Sequence, residues 1–193
     1  MYSELINKYN NFKYFSTDPV AVVRKCKEKT DIEIMAVVCS WLAYGNRDQI
    51  FKKCNFAYTL MNGEPYKYLM SGDWQQYKTD NNSFYRLFKF YDFYNLMNSL
   101  YKVYTEYSDL ESYINYYLNK NAQADYLDAL LSCLSANEIP KNKQSACKRL
   151  CLMLRWLIRD DKIVDLGIWK SLSKNKLYIP LDVHVNRVSK KLG

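Results

Sequence analysis

Asp182 is an acid placed among cations. It sits in the closing segment PLDVHVNRVSKKLG, two residues before His184, the only histidine of the chain. Pro180 fixes the approach, and apolar Val185, Val188 and Leu192 follow at helical spacing with Arg187, Lys190 and Lys191 between them. That pattern puts Asp182 at the start of a helix, where free backbone N–H groups and the helix dipole hold a carboxylate ionised. A fixed carboxylate of this kind can stabilise a positive charge that develops on a reacting sugar. It can equally be a helix cap with no further role. His184 reads as a phosphate or structural contact, and Arg187 as a phosphate contact or an ion-pair partner.

Residues 140–193 hold nine Lys and four Arg against four Asp and no Glu, an excess of nine positive charges. The rest of the chain is close to neutral, so the whole formal charge of +8 lies in the last quarter. A one-sided basic region is the footprint of a polyanion binder, and also of a solvated basic face. Nothing else in the composition offers a competing chemistry. No Ser-His-Asp pattern that the one histidine could serve and no Gly-rich phosphate loop occur, and a single histidine adds little metal-ligand capacity. The six cysteines contain no CxxC pair and are expected to be reduced, mostly buried thiols, so no metal cluster and no cofactor is expected. The start of the chain lacks a basic region followed by an apolar run, and no stretch has the length of a membrane span. A cytoplasmic, monomeric protein is therefore expected.

The elements that position these residues read as helices. An apolar content of 49% in 193 residues supports one real core, and five Gly with four Pro leave few breaks. Asp18-Pro19 opens a short helix through Val20, Val23 and Cys26. A broadly apolar helix follows from Thr30 or Asp31 to Tyr44-Gly45, then one from Arg47 to Asn62-Gly63, and a short one from Glu64-Pro65 to Gly72. After a polar loop at 73–83, helices are predicted over 83–106, 109–120 and 123–136, the first with a break near Tyr91-Asp92. A short basic turn then leads into a helix from Gln144 to Arg159. Asp165 is expected to cap a short helix through Ile168 and Trp169, and residues 174–181 to be an extended connector. Trp156 and Trp169 read as core.

The last quarter resembles a known superfamily. PLDVHVNRVSKKLG is similar to a segment of the helix-hairpin-helix DNA glycosylases that reads, in outline, V/P-x-D-x-H-x-x-R-V. The turn Ile139–Lys143 and the helix SACKRLCLMLRWLIR resemble the second half of the hairpin and its following helix, and AVVCSWLAYGNRDQI an early core helix. The combination AYGNR, CKRLCLMLRWLIR, VDLGIW and IPLDVHVNRV is similar to a mostly bacterial family of uncharacterised proteins, itself distantly similar to the archaeal 8-oxoguanine DNA glycosylases. The resemblance implies an all-α domain over 1–193, two lobes sharing a cleft, with 140–193 as the DNA-binding and catalytic part. It implies Asp182 as the essential acid and Lys148 as the nucleophilic amine. Lys141, Lys143, Arg149, His184 and Arg187 become DNA contacts, and Asn46 becomes the side chain that fills the gap of a flipped base. The partner is then duplex DNA with a damaged base.

The pattern departs from that superfamily in three places. Pro140-Lys141-Asn142-Lys143 has no glycine where the hairpin is glycine-rich. Lys148 and Asp182 are 34 residues apart, a longer spacing than in the common bacterial enzymes. The chain stops at Leu192-Gly193, where such enzymes continue, so a C-terminally truncated fold is expected. A C-terminal four-cysteine iron–sulfur cluster is also missing.

In chemical terms, an amine attacking C1′ displaces the base, forms a Schiff base and permits β-elimination. Such an amine needs burial and cationic neighbours, the part foreseen for Arg149, Lys141 and Lys143. Two other readings remain. One is a DNA- or RNA-binding module without catalysis, which the missing glycines favour. The other is a helical interaction protein in which Lys148 is a solvated lysine and Asn46 follows Gly45 in a left-handed turn.

Overall fold

A computed structural model describes residues 10–192. The opening residues 1–9, part of the stretch read above as lacking a leader, lie outside the described residues, as does Gly193. The described chain is mostly helical, with one small hairpin. Its helices are α1 Phe12–Phe15, α2 Pro19–Val23, α3 Lys29–Trp41, α4 Arg47–Leu60, α5 Pro65–Ser71, α6 Phe90–Glu106, α7 Leu110–Lys120, α8 Tyr126–Cys133, α9 Lys148–Ile158 and α10 Val183–Leu192. Single 3₁₀ turns occupy Asp73–Tyr77 and Lys174–Lys176.

The organising element is α3. Every residue from Ile32 to Trp41 is buried, so this helix has no polar face and must be surrounded. Helices α2, α4, α5 and α9 pack around it. Helix α9 buries Leu150, Met153, Leu154, Trp156 and Leu157, and leaves Arg149, Leu152 and Arg155 half-buried on its other side.

Of the two acids in α3, Glu33 is fully buried. It is tolerated because donors converge on it: Tyr104 Oη at 2.6 Å, the Leu110 amide at 3.0 Å and Trp169 Nε1 at 2.5 Å. One carboxylate thus ties α6, α7 and the segment after α9 to the central helix. Lys29, at the start of α3, closes the rim with ion pairs of 2.7 Å to Asp109 and 2.6 Å to Glu111.

Two predicted helical stretches are something else. Residues 83–89 form an antiparallel hairpin, β1 Ser83–Tyr85 with β2 Phe88–Lys89, and helix α6 starts only at Phe90. Phe84 and Phe88 are four apart, which reads as helical, but both are buried from a strand. Phe84 stacks on Phe93 at 5.0 Å and Phe88 meets Trp41 edge-on at 4.6 Å. Asp92, where a break was predicted, accepts the Lys89 amide at 2.7 Å and so caps α6. The extended structure is therefore here, while 174–181 contains a 3₁₀ turn and no strand.

The short helix expected after Asp165 does not form either. Asp161 Oδ1 takes the amides of Ile163, Val164 and Asp165, and the chain turns back onto α9. Trp156 O accepts Leu166 N at 2.7 Å and Leu157 O accepts Trp169 N at 2.9 Å. Asp165 itself is buried as the acceptor for Arg155 and Arg159.

Candidate functional site

Helix α9 begins four residues later than its apolar pattern suggests. Asn142 Oδ1 takes the Gln144 amide at 3.0 Å, Ser145 Oγ takes the Cys147 amide, and Cys147 is left-handed at φ +46°. These local bonds compete with helix and hold the connection from α8 in turns until Lys148. Glu138, also left-handed at φ +66°, bends the same connection. Two non-glycine residues thus take up conformations for which glycine is the usual choice. Lys148 is the first residue of α9.

Asp182 precedes α10 as expected from its spacing. Its Oδ1 accepts the Val185 amide at 2.8 Å and its carbonyl accepts the Asn186 amide at 2.8 Å. The other carboxylate oxygen, Oδ2, accepts from Lys148 Nζ at 2.7 Å. The fold therefore closes the 34-residue gap and joins the amine and the acid. The Lys148 ammonium, with help from the Val185 amide, pulls the Asp182 carboxyl down to about 2, so it is ionised at neutral pH. The pair is not deeply enclosed. The Lys148 side chain is 48% exposed and that of Asp182 26%.

Beside the pair lies a cavity of about 420 Å³ between the end of α3 and the start of α9. Trp41, Tyr44, Glu138, Cys147, Lys148 and Arg149 are among its walls. Arg149 is structural glue for this cavity. It donates to Trp41 O at 3.0 Å, among the last carbonyls of α3, and to Glu138 Oε2 at 3.3 Å. Burial disfavours its charge and Glu138 opposes that effect. Tyr44 stands at the mouth, 40% exposed, with the guanidinium groups of Arg86 and Arg149 at 5.3 and 5.9 Å from its ring. Gly45, with φ +107°, lies so close to Arg86 that a Cβ would sit 2.5 Å from the guanidinium.

The other predicted residues divide. Asn46 adjoins the cavity but caps α4, its Oδ1 accepting the amides of Asp48 at 3.0 Å and Gln49 at 3.3 Å. Its φ of −73° is not left-handed. Lys143 turns away to α8, with ion pairs of 3.1 Å to Asp125 and 2.8 Å to Asp128 that raise its pKa well above the usual lysine value. Lys148 is thus flanked by an acid where cationic neighbours were foreseen. Lys141, His184 and Arg187 are exposed. Tyr44 lies in the AYGNR stretch and was not singled out; an aromatic residue just before a helix-ending glycine was the available signal. Among the described residues no three His, Cys, Asp or Glu side chains gather as metal ligands, and all six cysteines are free.

A family model described as a protein of unknown function (DUF2400) matches residues 18–193. The chain belongs to this family. Neither a curated protein nor a solved structure matches it. The DUF2400 match covers every element from α2 to α10 and so includes Tyr44, Lys148 and Asp182. The family description carries no link to DNA glycosylases. Among the described residues no helix is long and apolar enough to cross a membrane.

Proposed function

We propose that this DUF2400 chain is a DNA glycosylase of the helix-hairpin-helix type that excises an oxidised purine and cleaves the resulting site as a lyase. In this reading α8, the turn-rich connection 134–147 and α9 stand for the helix-hairpin-helix, and the cavity beside α9 is the cleft between two lobes. The observation that supports it is the 2.7 Å contact of Lys148 Nζ with Asp182 Oδ2 at the rim of a 420 Å³ cavity. An amine and a carboxylate brought to one point are the two groups the chemistry needs.

The steps follow from those groups. The damaged base is extruded from duplex DNA and enters the cavity beside Tyr44, which offers a ring for stacking. The DNA covers the rim and removes water, so that the Asp182 charge acts at full strength. As the C1′–N bond lengthens, positive charge on the sugar is stabilised by Asp182. The Lys148 proton passes to the departing base, the freed amine bonds to C1′, and one N–H proton of that amine moves to O4′ as the C1′–O4′ bond opens, which gives the protonated imine. Loss of a C2′ proton then expels the 3′ phosphate by β-elimination.

A second reading has an observation of its own. Lys148 Nζ is engaged by Asp182 and the lysine side chain is 48% exposed, which suits a passive phosphate contact in a non-catalytic nucleic-acid module better than a buried nucleophile. Single-turnover base release from duplexes carrying 8-oxoguanine and other oxidised bases separates the two. The catalytic reading expects release by the wild type and a loss of about a hundredfold in Asp182→Asn, with DNA binding retained. Binding without release from any lesion in the panel supports the passive module.

A further inference from the structure

A groove lined by Arg155, Arg159 and Lys174 lies beside α9, away from the cavity. Lys148, Arg155 and Arg159 are seven and four residues apart, which places them on one stripe of the helix. The segment that leads into Asp182 runs beside this stripe in the opposite direction. Asp182 meets Lys148 at one end, and Lys174, Asn175 and Tyr178 face Arg155 and Arg159 across an open groove of about 550 Å³. Among the described residues no acidic one lines that groove.

The two arginines are fixed by ion pairs to Asp165 and Asp161 yet keep hydrogen-bond donors free among the described residues. Arg155 Nε donates to Asp165 Oδ2 at 3.1 Å, and Arg159 Nε donates to the same oxygen. Asp165 is completely enclosed behind them. Each guanidinium is thereby fixed through its stem. The Arg155 terminal nitrogens take no hydrogen-bond partner among the described residues, and Arg159 spends one of its two on Asp161 at 3.0 Å. Both side chains remain more than a third exposed. Lys174 is exposed. Tyr178 is pinned by its hydroxyl to Asp125 at 3.0 Å, with half of its surface open. Fixed forks on a cationic groove with an aromatic ring beside them are what a phosphodiester strand requires. The arginines are one helical turn apart, about 6 Å, a spacing comparable to successive phosphates of an extended strand.

We propose that this groove holds the phosphodiester backbone of the DNA strand that continues from the Lys148–Asp182 pair, with Arg155, Arg159 and Lys174 on its phosphates. The assignment rests on the glycosylase-type reading for its choice of polyanion. The test is the salt dependence of binding to a fluorescein-labelled duplex with a central tetrahydrofuran site, using the full chain. Lys174→Gln and Arg155→Gln should each reduce the log–log slope by about 0.9 and weaken binding about fivefold at 0.15 M salt. Lys102→Gln, exposed on α6, should change neither. Arg155 helps to hold a buried acid, so Lys174→Gln decides the matter if Arg155→Gln melts early. An unchanged slope in a folded Lys174→Gln protein overturns the proposal, as does binding to phosphatidylserine vesicles in place of DNA. Borohydride trapping on Lys148 keeps the two claims apart. Reduced slopes without an adduct leave the groove standing and remove the lyase chemistry, whereas an adduct with unchanged slopes removes the groove.

Discussion

Replacing Trp169 with Phe should destabilise this protein far more than the loss of a few ring atoms implies. The indole N–H donates to Glu33 Oε1 at 2.5 Å in a fully buried site, and the next cation, Lys29, is 4.0 Å from that oxygen. Losing a hydrogen bond to a buried carboxylate costs about 1.5–3 kcal/mol, and the smaller ring adds about 1 kcal/mol of lost packing. At about 2–4 °C per kcal/mol for a chain of this size, the melting temperature should fall by about 10 °C. The pH dependence identifies the cause. Burial raises the Glu33 pKa in the folded state, so the fold favours the protonated acid and loses stability as pH rises through that value. Without its indole donor the acid is raised further, and the deficit of Trp169→Phe should grow from pH 4 to pH 8. The second check is a double-mutant cycle. In Glu33→Gln the amide leaves one donor unpaired whichever way it turns, so Trp169→Phe should cost at least 1 kcal/mol less in that background. Urea unfolding of the four proteins measures both. A deficit independent of pH, together with additive mutations, would refute the view of Glu33 as the hub of the fold.

Three further outcomes follow from particular contacts. The Asp182 carboxyl is lowered in the folded state, so the stability it confers is present above its unfolded value of 3.8 and is lost as pH falls towards about 2. A carbon-detected NMR titration should give a midpoint near 2 in the wild type and one nearer 3.8 in Lys148→Gln; equal midpoints would mean that the ion pair does not exist in solution. Gly167→Ala should cost clearly more than Gly72→Ala in urea unfolding. Both have positive φ, but a Cβ at Gly167 meets the Asp160 backbone at 2.8 Å, while at Gly72 it meets only the flexible Gln75 side chain at 3.2 Å. Asp182→Asn should slow base release about a hundredfold without weakening DNA binding, as measured in single turnovers.

The helix punctuation was legible because it is local. Asp18-Pro19 and Asp182 before Val183 each carry a capping side chain or a fixed φ, and each opens a helix where its chemistry says, whereas Asn46, read as a gap-filling or left-handed residue, is the cap of the helix that starts at Arg47. The hairpin at 83–89 was not legible, since Phe84 and Phe88 fit helical and extended spacing alike and only Trp41 and Phe93 select the strand. Asp165 looked like a cap because its partners Arg155 and Arg159 belong to the preceding helix, and an ion pair of that kind leaves no periodic trace. At the site, Asp182 was readable as an N-cap, but its meeting with Lys148 depends on how the chain returns along α9. The destination of Lys143 was hidden for the same reason: Asp125 and Asp128 face it only through the turns at 134–147.

The central claim is that Lys148 and Asp182 work on one sugar. Its most direct test is sodium borohydride trapping of the full chain on a duplex with an abasic or 8-oxoguanine site, followed by mass spectrometry of the linked peptide. The expected result is a covalent adduct on Lys148 that is absent in Lys148→Gln while duplex binding persists. Tight binding of the same duplexes with no adduct, or an adduct on a different lysine, would contradict it.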